Sequence, residues 1–188
     1  MVKEHFFVVG FTHVMPWGYD HLLFIICLFF VQKTFSDLSL LSLCFTLAHS
    51  ITLAAGYFKI IVIPPPVTEP LIALSIVVLA FFRMKGSAQM KFPFFSVFVF
   101  GLLHGSGFAG ALNTELDKSY SWFAPLLMFN LGIEVAQFSL LACMFILFAV
   151  AFKKNESNIE KPSRIICGIC ATAGMFLFVS RLIEFFFR

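Results

Sequence analysis

The sequence predicts an all-α integral membrane protein: a six-transmembrane-helix bundle with a short N-terminal interfacial or re-entrant half-helix, forming one transmembrane domain over residues 1–188. Three observations carry this expectation. Apolar residues make up 60% of the chain and charged residues only 12%, where a soluble domain of this size needs about a quarter charged residues to cover its surface. Mean hydropathy is +0.96. Apolar runs separated by polar breakers recur along the chain, most of them near the roughly 20 residues that cross a bilayer core of about 30 Å.

The spans follow in order. Trp17 to Gln32 is the first and Leu38 to Phe58 the second. Glu69 to Arg83 is the third, entered after the rigid "PPP" at 64–66. Pro93 to Leu112 is the fourth, Trp122 to Phe152 the fifth and Ser163 to Phe187 the sixth. The fifth is long enough to tilt or to run past the membrane. Ahead of them, "HFFVVGFTHVMP" is too short to cross alone. It reads either as a half-helix ended by Pro16 or as the start of one long kinked helix.

Charge sets the expected direction. "RMKGSAQMK", "KKNESNIEKPSR" and the Lys33 loop are basic, and "NTELDKSYS" is acidic. The positive-inside rule then puts eight of the thirteen Lys and Arg on the cytoplasmic side, four outside, and Arg181 within the sixth span. This parity puts both termini outside, in a multi-pass bacterial inner-membrane protein. Trp17 and Trp122 read as interface anchors. The net charge of +3 is a topology signal, and nucleic acid is not an expected partner. The expected partners are membrane lipid and a metal ion, with a homo-oligomer allowed. Lys3 is followed by Glu4 and no small-residue cleavage site, so no cleaved signal peptide is expected. The five cysteines all fall in apolar stretches and read as small packing residues, the "CGIC" pair at 167–170 included.

Ionisable groups inside spans are costly and therefore informative. Asp20 and His21 open the first span, His49 lies in the second, His104 in the fourth and Glu134 in the fifth. At 1.5 Å per residue, His49, His104 and Asn130 lie about 12–13 Å below the outer ends of their spans, Glu134 about 18 Å and the Asp20–His21 pair about 5–6 Å. These groups come from alternating chain directions and converge on one layer in the outer half. Thr46, His49 and Ser50 share one helical face, and Asn130, Glu134 and Gln137 share another. Glycines at 101, 105, 107 and 110 let the helix of His104 approach its neighbours closely.

Imidazoles with one or two carboxylates make a transition-metal site, suited to nickel, zinc or cobalt. The candidate ligands are His13, Asp20, His21, His49, His104 and Glu134, supported by Ser50, Asn130, Gln137 and Glu69. Each has a plainer reading. An intramembrane histidine bonds a neighbouring helix, Glu134 is a protonated acid, and Arg181 and Glu184, three residues apart, pair with each other or with the interface. Two functions fit such a layer. One is transport or binding of a divalent transition metal. The alternative is an intramembrane zinc-dependent hydrolase acting on a lipid or membrane peptide, with Glu134 or Asp20 as general base. Few polar groups are visible in the spans below the layer, which transport requires and hydrolysis does not.

The blocks "GFTHVMPWGYDHLLFI", "FTLAHSITL", "EPLIALSI", "FGLLHGSGFAGAL" and "FNLGIEVAQ", covering about residues 5–145, resemble in order those of the HupE/UreJ family, second branch. These are hydrogenase/urease accessory membrane proteins regarded as nickel or cobalt permeases. The resemblance implies a permease whose N-terminal signature, a histidine followed by an aspartate–histidine pair, corresponds to His13, Asp20 and His21. It matches His49, Glu69, His104 and Glu134 to the later blocks. Six residues separate His13 from Asp20 here, where typical nickel permeases of the group have five. On a continuous helix that extra residue would turn His13 about 100° away from the pair.

Overall fold

The computed structural model describes residues 2–31, 34–85, 93–115, 123–152 and 156–187. Trp122 and the basic residues Lys33, Lys91, Lys118, Lys153, Lys154 and Arg188, on which part of the orientation argument rests, lie outside them. The described residues form seven helices: α1 (Val2–Val14), α2 (Tyr19–Phe29), α3 (Phe35–Tyr57), α4 (Pro65–Met84), α5 (Pro93–Glu115), α6 (Phe123–Phe152) and α7 (Glu156–Phe187). Helices α2 to α7 correspond in order to the six expected spans, and α1 is the half-helix.

Their lengths differ from the six-span expectation. Four stretches are long and apolar enough to cross a membrane: Phe35–Tyr57, Pro65–Met84, Phe123–Ala151 and Ile159–Phe187. Tyr19–Phe29 is a shorter apolar helix, and α5, 23 residues long, is apolar over Phe94–Gly107. At 11 residues, α2 covers only about 17 Å, the length of a buried core helix rather than of a span. It buries His21, Phe24, Ile25, Cys27, Leu28 and Phe29 and touches α4, α6 and α7. Phe24 also packs on Phe45 of α3 and Phe100 of α5. The four long apolar helices suit contact with membrane lipid, and they expose side chains such as Leu47, Ile146, Val150 and Phe176.

Two helix ends moved from where breakers suggested. α4 begins at Pro65, not after the prolines, because a proline in the first turn lacks only an N–H that has no helical partner there. α7 begins at Glu156 and runs through Pro162, so much of the stretch read as a basic loop is helix.

The most extensive packing is α3 on α5, α4 on α7, and α1 on α6. Small residues set two of these contacts. A side chain at Gly101 or Gly105 of α5 would collide with the Phe45 and His49 carbonyls of α3. Along that seam residue numbers rise together, so α3 and α5 run parallel, as their places in an alternating series require. A side chain at Gly10 of α1 would meet the Phe129 carbonyl, and one at Gly132 of α6 the Phe7 carbonyl. The numbers there run in opposite senses, so α1 is antiparallel to α6, with its C-terminal His13 near Phe129 (ring centroids 5.6 Å). The N-terminal end of α1 therefore lies alongside the middle of α6. The C-terminal part of α7 lies at the His13 end, where Arg181 meets Asp20.

α4 and α7 are antiparallel and tied near both ends. At one end Arg83 donates to Glu160 (2.9 and 3.4 Å) and to Ser163 (2.8 Å). At the other, Arg181 contacts Glu69. In the core between α2 and α7, the Cys27 thiol lies beside those of Cys167 and Cys170, and all three are free.

Candidate metal centre

α1 does not continue into α2. The chain turns at residues 15–18, through a cis Met15–Pro16 peptide and Gly18, where a side chain would collide with the His13 carbonyl. With α1 ending at Val14 and α2 starting at Tyr19, the extra residue does not rotate His13 away from Asp20 and His21. The turn carries His13 back to His21, with ring centroids 4.7 Å apart.

His49 of α3 completes the group, its ring 5.9 Å from His13 and 5.8 Å from His21. One ligand nitrogen from each of His13, His21 and His49 lies within 4.8 Å of the others. A metal about 2.0–2.1 Å from each nitrogen needs nitrogens no more than about 4.2 Å apart, so small rotamer adjustments bring the three onto one ion. His104 of α5 stands against His21 at 4.9 Å, with its Nε2 3.2 Å from the Ser75 hydroxyl of α4. The cluster thus draws on four helices, and the Gly101–Gly105 contact is what brings α5 close enough to join it.

Several nitrogens of the buried imidazoles of His21, His49 and His104 lack the usual compensation. His49 is fully buried, His104 is 1% exposed and His21 5%. Both ring nitrogens of His49, Nε2 of His21 and Nδ1 of His104 have no hydrogen-bond partner among the described residues. A buried polar atom without a partner costs on the order of 1–3 kcal/mol. Several together are what a ligand site would require, and neutral imidazole nitrogens can act as transition-metal donors.

The carboxylates are placed differently. Asp20 does not join the three-histidine group: Arg181 donates to both its oxygens, at 2.9 and 2.7 Å. This corrects the expectation that Arg181 pairs with Glu184 or the interface. The guanidinium also donates to the Glu69 carbonyl (3.1 Å) and lies 3.8 Å from the Glu69 carboxylate. Helix periodicity shows only neighbours on the same helix, so a partner 161 residues away had no signal in the sequence. Glu134 lies on α6 with both carboxylate oxygens buried and without a hydrogen-bond partner among the described residues. The polar residues expected to support the site bind one another. Ser50 donates to Asn130 (2.6 Å), and Gln137 accepts from Ser42 (2.5 Å) and Thr46 (3.3 Å). These bonds tie α3 to α6.

A cleft of about 520 Å³ leads to the cluster. It is lined by His13, His21, His104, Asp20, Glu69 and Arg181, and bordered by the exposed rings of Trp17 and Tyr19. His49 is not part of the lining. Against the other side of the cluster stand fully buried aromatic rings: Phe24 on His104 (5.3 Å), Phe45 on His21 and His104 (5.9 and 5.1 Å), and Phe129 on His13. The site is reached from the end carrying Trp17 and Tyr19 and floored with phenylalanine.

No curated protein and no solved structure matches the chain. A family model described as "HupE / UreJ protein" matches residues 1–185, essentially the full length, and the chain belongs to the HupE/UreJ family.

Proposed function

We propose that this protein carries a divalent transition-metal ion of the nickel, cobalt or zinc class across the bacterial inner membrane, loading it from the cleft onto His13, His21 and His49. The observation that carries this reading is the trio of histidines from three helices, with ligand nitrogens within 4.8 Å of one another. Membership of a family associated with nickel and cobalt handling supports the same class of substrate. The zinc-hydrolase alternative draws no support from the family.

The parts divide the work by their chemistry. The cleft is large enough for a hydrated ion, since six waters occupy about 180 Å³ at roughly 30 Å³ each. Asp20 and Glu69 outnumber Arg181 at its wall and favour a cation. The imidazoles replace the ion's waters. His104 beside His21 offers a further nitrogen, and Asp20 an oxygen whenever Arg181 turns toward Glu69. The phenylalanine floor closes the inward side, so passage requires Phe24 and Phe45 to move. This arrangement corresponds to the outward-facing state of an alternating-access cycle.

The test is flux. Proteoliposomes containing the full chain should accumulate nickel, cobalt or zinc, and His21→Ala should abolish uptake. No flux of any divalent ion, together with one tightly held zinc per chain, would overturn transport and return the enzyme reading.

A further inference from the structure

A second polar centre lies one to two helical turns from His49 toward the N-terminal end of α3, on the seam between α3 and α6. Glu134 presents two buried carboxylate oxygens that accept no hydrogen bond among the described residues. The Thr46 hydroxyl lies within hydrogen-bonding reach of that carboxyl, and also of the Ser42 carbonyl (3.2 Å) and Gln137 Oε1 (3.3 Å), so one proton serves three acceptors. Ser42 directs its own proton to the same Gln137 oxygen, at 2.5 Å. The Ser42, Gln137 and Thr46 oxygens thus form a connected run that ends beside the Glu134 carboxylate, with Gln137 Nε2 buried and without a hydrogen-bond partner among the described residues.

This donor set differs in kind from the imidazole cluster. It is all oxygen, which hard cations prefer and borderline transition metals do not. It carries one formal negative charge, which inside a low-dielectric bundle balances a monovalent ion better than a divalent one. The 3.3 Å between the Thr46 and Gln137 oxygens matches the spacing of neighbouring ligands around an ion bound at about 2.3–2.6 Å, whereas the 2.5 Å Ser42–Gln137 hydrogen bond has to open for both of those oxygens to join. We propose that the α3–α6 seam binds a sodium-sized monovalent cation on Glu134, Thr46, Gln137 and Ser42, separate from the transition metal held above. Thr46 and His49 are one turn apart on α3, so filling either centre alters the field and packing felt at the other. A sodium ion here is a natural co-substrate or counter-substrate for the metal.

The experiment needs no transition metal, so its outcome is independent of the transport reading. The full-length protein in detergent, with EDTA present, is unfolded thermally in sodium chloride and in choline chloride at equal ionic strength. A bound ion stabilises the folded state by mass action, so the unfolding temperature should rise saturably with sodium and stay flat with choline. Glu134→Gln should abolish the rise. Thr46→Val removes one oxygen at nearly constant volume. It should shift half-saturation about tenfold upward, the scale of losing a group from a metal's ligand shells, and it carries the test should Glu134→Gln fail to fold. Coincident curves in sodium and choline overturn the proposal and leave a proton as the occupant of Glu134. So does a sodium response that Glu134→Gln and Thr46→Val leave unchanged.

Discussion

The Arg181 wall and the imidazole cluster meet in the same cleft, and they solve the cost of burial in opposite ways. Arg181 and Asp20, each about one-fifth exposed, are joined by two charge-assisted hydrogen bonds, and Glu69 takes more of the guanidinium's hydrogens. The imidazoles of His21, His49 and His104 are buried more deeply, yet His49 has neither nitrogen bonded among the described residues. A paired ion network holds helices in register. Buried nitrogens without a partner among the described residues are suited to a ligand from outside the protein. The difference teaches where to look for function among several polar groups in an apolar bundle: at the unsatisfied ones.

The comparison can be broken most decisively at His49. If its nitrogens serve a metal, His49→Ala should lower metal affinity by about 10- to 100-fold while leaving folding largely intact, as read by equilibrium metal binding alongside thermal unfolding. Unchanged metal stoichiometry in both His49→Ala and His21→Ala would reduce the cluster to packing.

The pair should respond in the opposite sense. Arg181→Ala strands a largely buried carboxylate and should cost on the order of 2–4 kcal/mol of stability, recovered in good part by adding Asp20→Asn. Metal affinity in Arg181→Ala should hold or improve, because Asp20 is released to the cluster. A fall in affinity as large as that of His49→Ala would show that Arg181 is part of the site and not only of its wall.

Next comes the seam that assembles the cluster. Gly105→Ala drives a methyl onto the His49 carbonyl and should cost roughly 1–3 kcal/mol as an overpacked contact, with a smaller loss of metal affinity as α5 is pushed away. Acidity probes the ligands directly. Imidazole binds metal only when neutral, so affinity should fall as pH drops, with up to three protons taken up per metal released. A pH-independent affinity would point to ligands other than histidine. The smallest effect is expected at the far end of α7. Arg164 and Glu160 form an exposed pair one turn apart (3.1 Å), and Arg164→Ala should change stability by no more than about 0.5 kcal/mol.

The residues of the site were legible because a charge or an imidazole inside an apolar run is costly enough to be selected only for a reason. His21, His49 and His104 could be assigned to one layer by counting 1.5 Å per residue, and their rings do meet. Gly101 and Gly105 could be read as close-contact positions, and they are. Counting failed where the backbone leaves the helix. The turn at 15–18 decides where His13 lies, and a turn's path is not periodic. Counting left α2 undecided: its apolar run reads as a span, yet the helix is 11 residues long and largely buried, and hydropathy does not distinguish lipid from protein as the apolar surroundings.

The sequence by itself determined the class of the protein, the order and most of the extent of its helices, the candidate ligands and, through the blocks they sit in, the family. These follow from local quantities: hydropathy, helical rise and residue chemistry. Only the tertiary structure decided that α1 folds back antiparallel along α6 to deliver His13, that Arg181 holds Asp20, and that Glu134 lies beside Thr46 on the α3–α6 seam. Each is a contact between residues far apart in the chain. It is fixed by how seven helices pack, and no helical periodicity records which helix lies next to which.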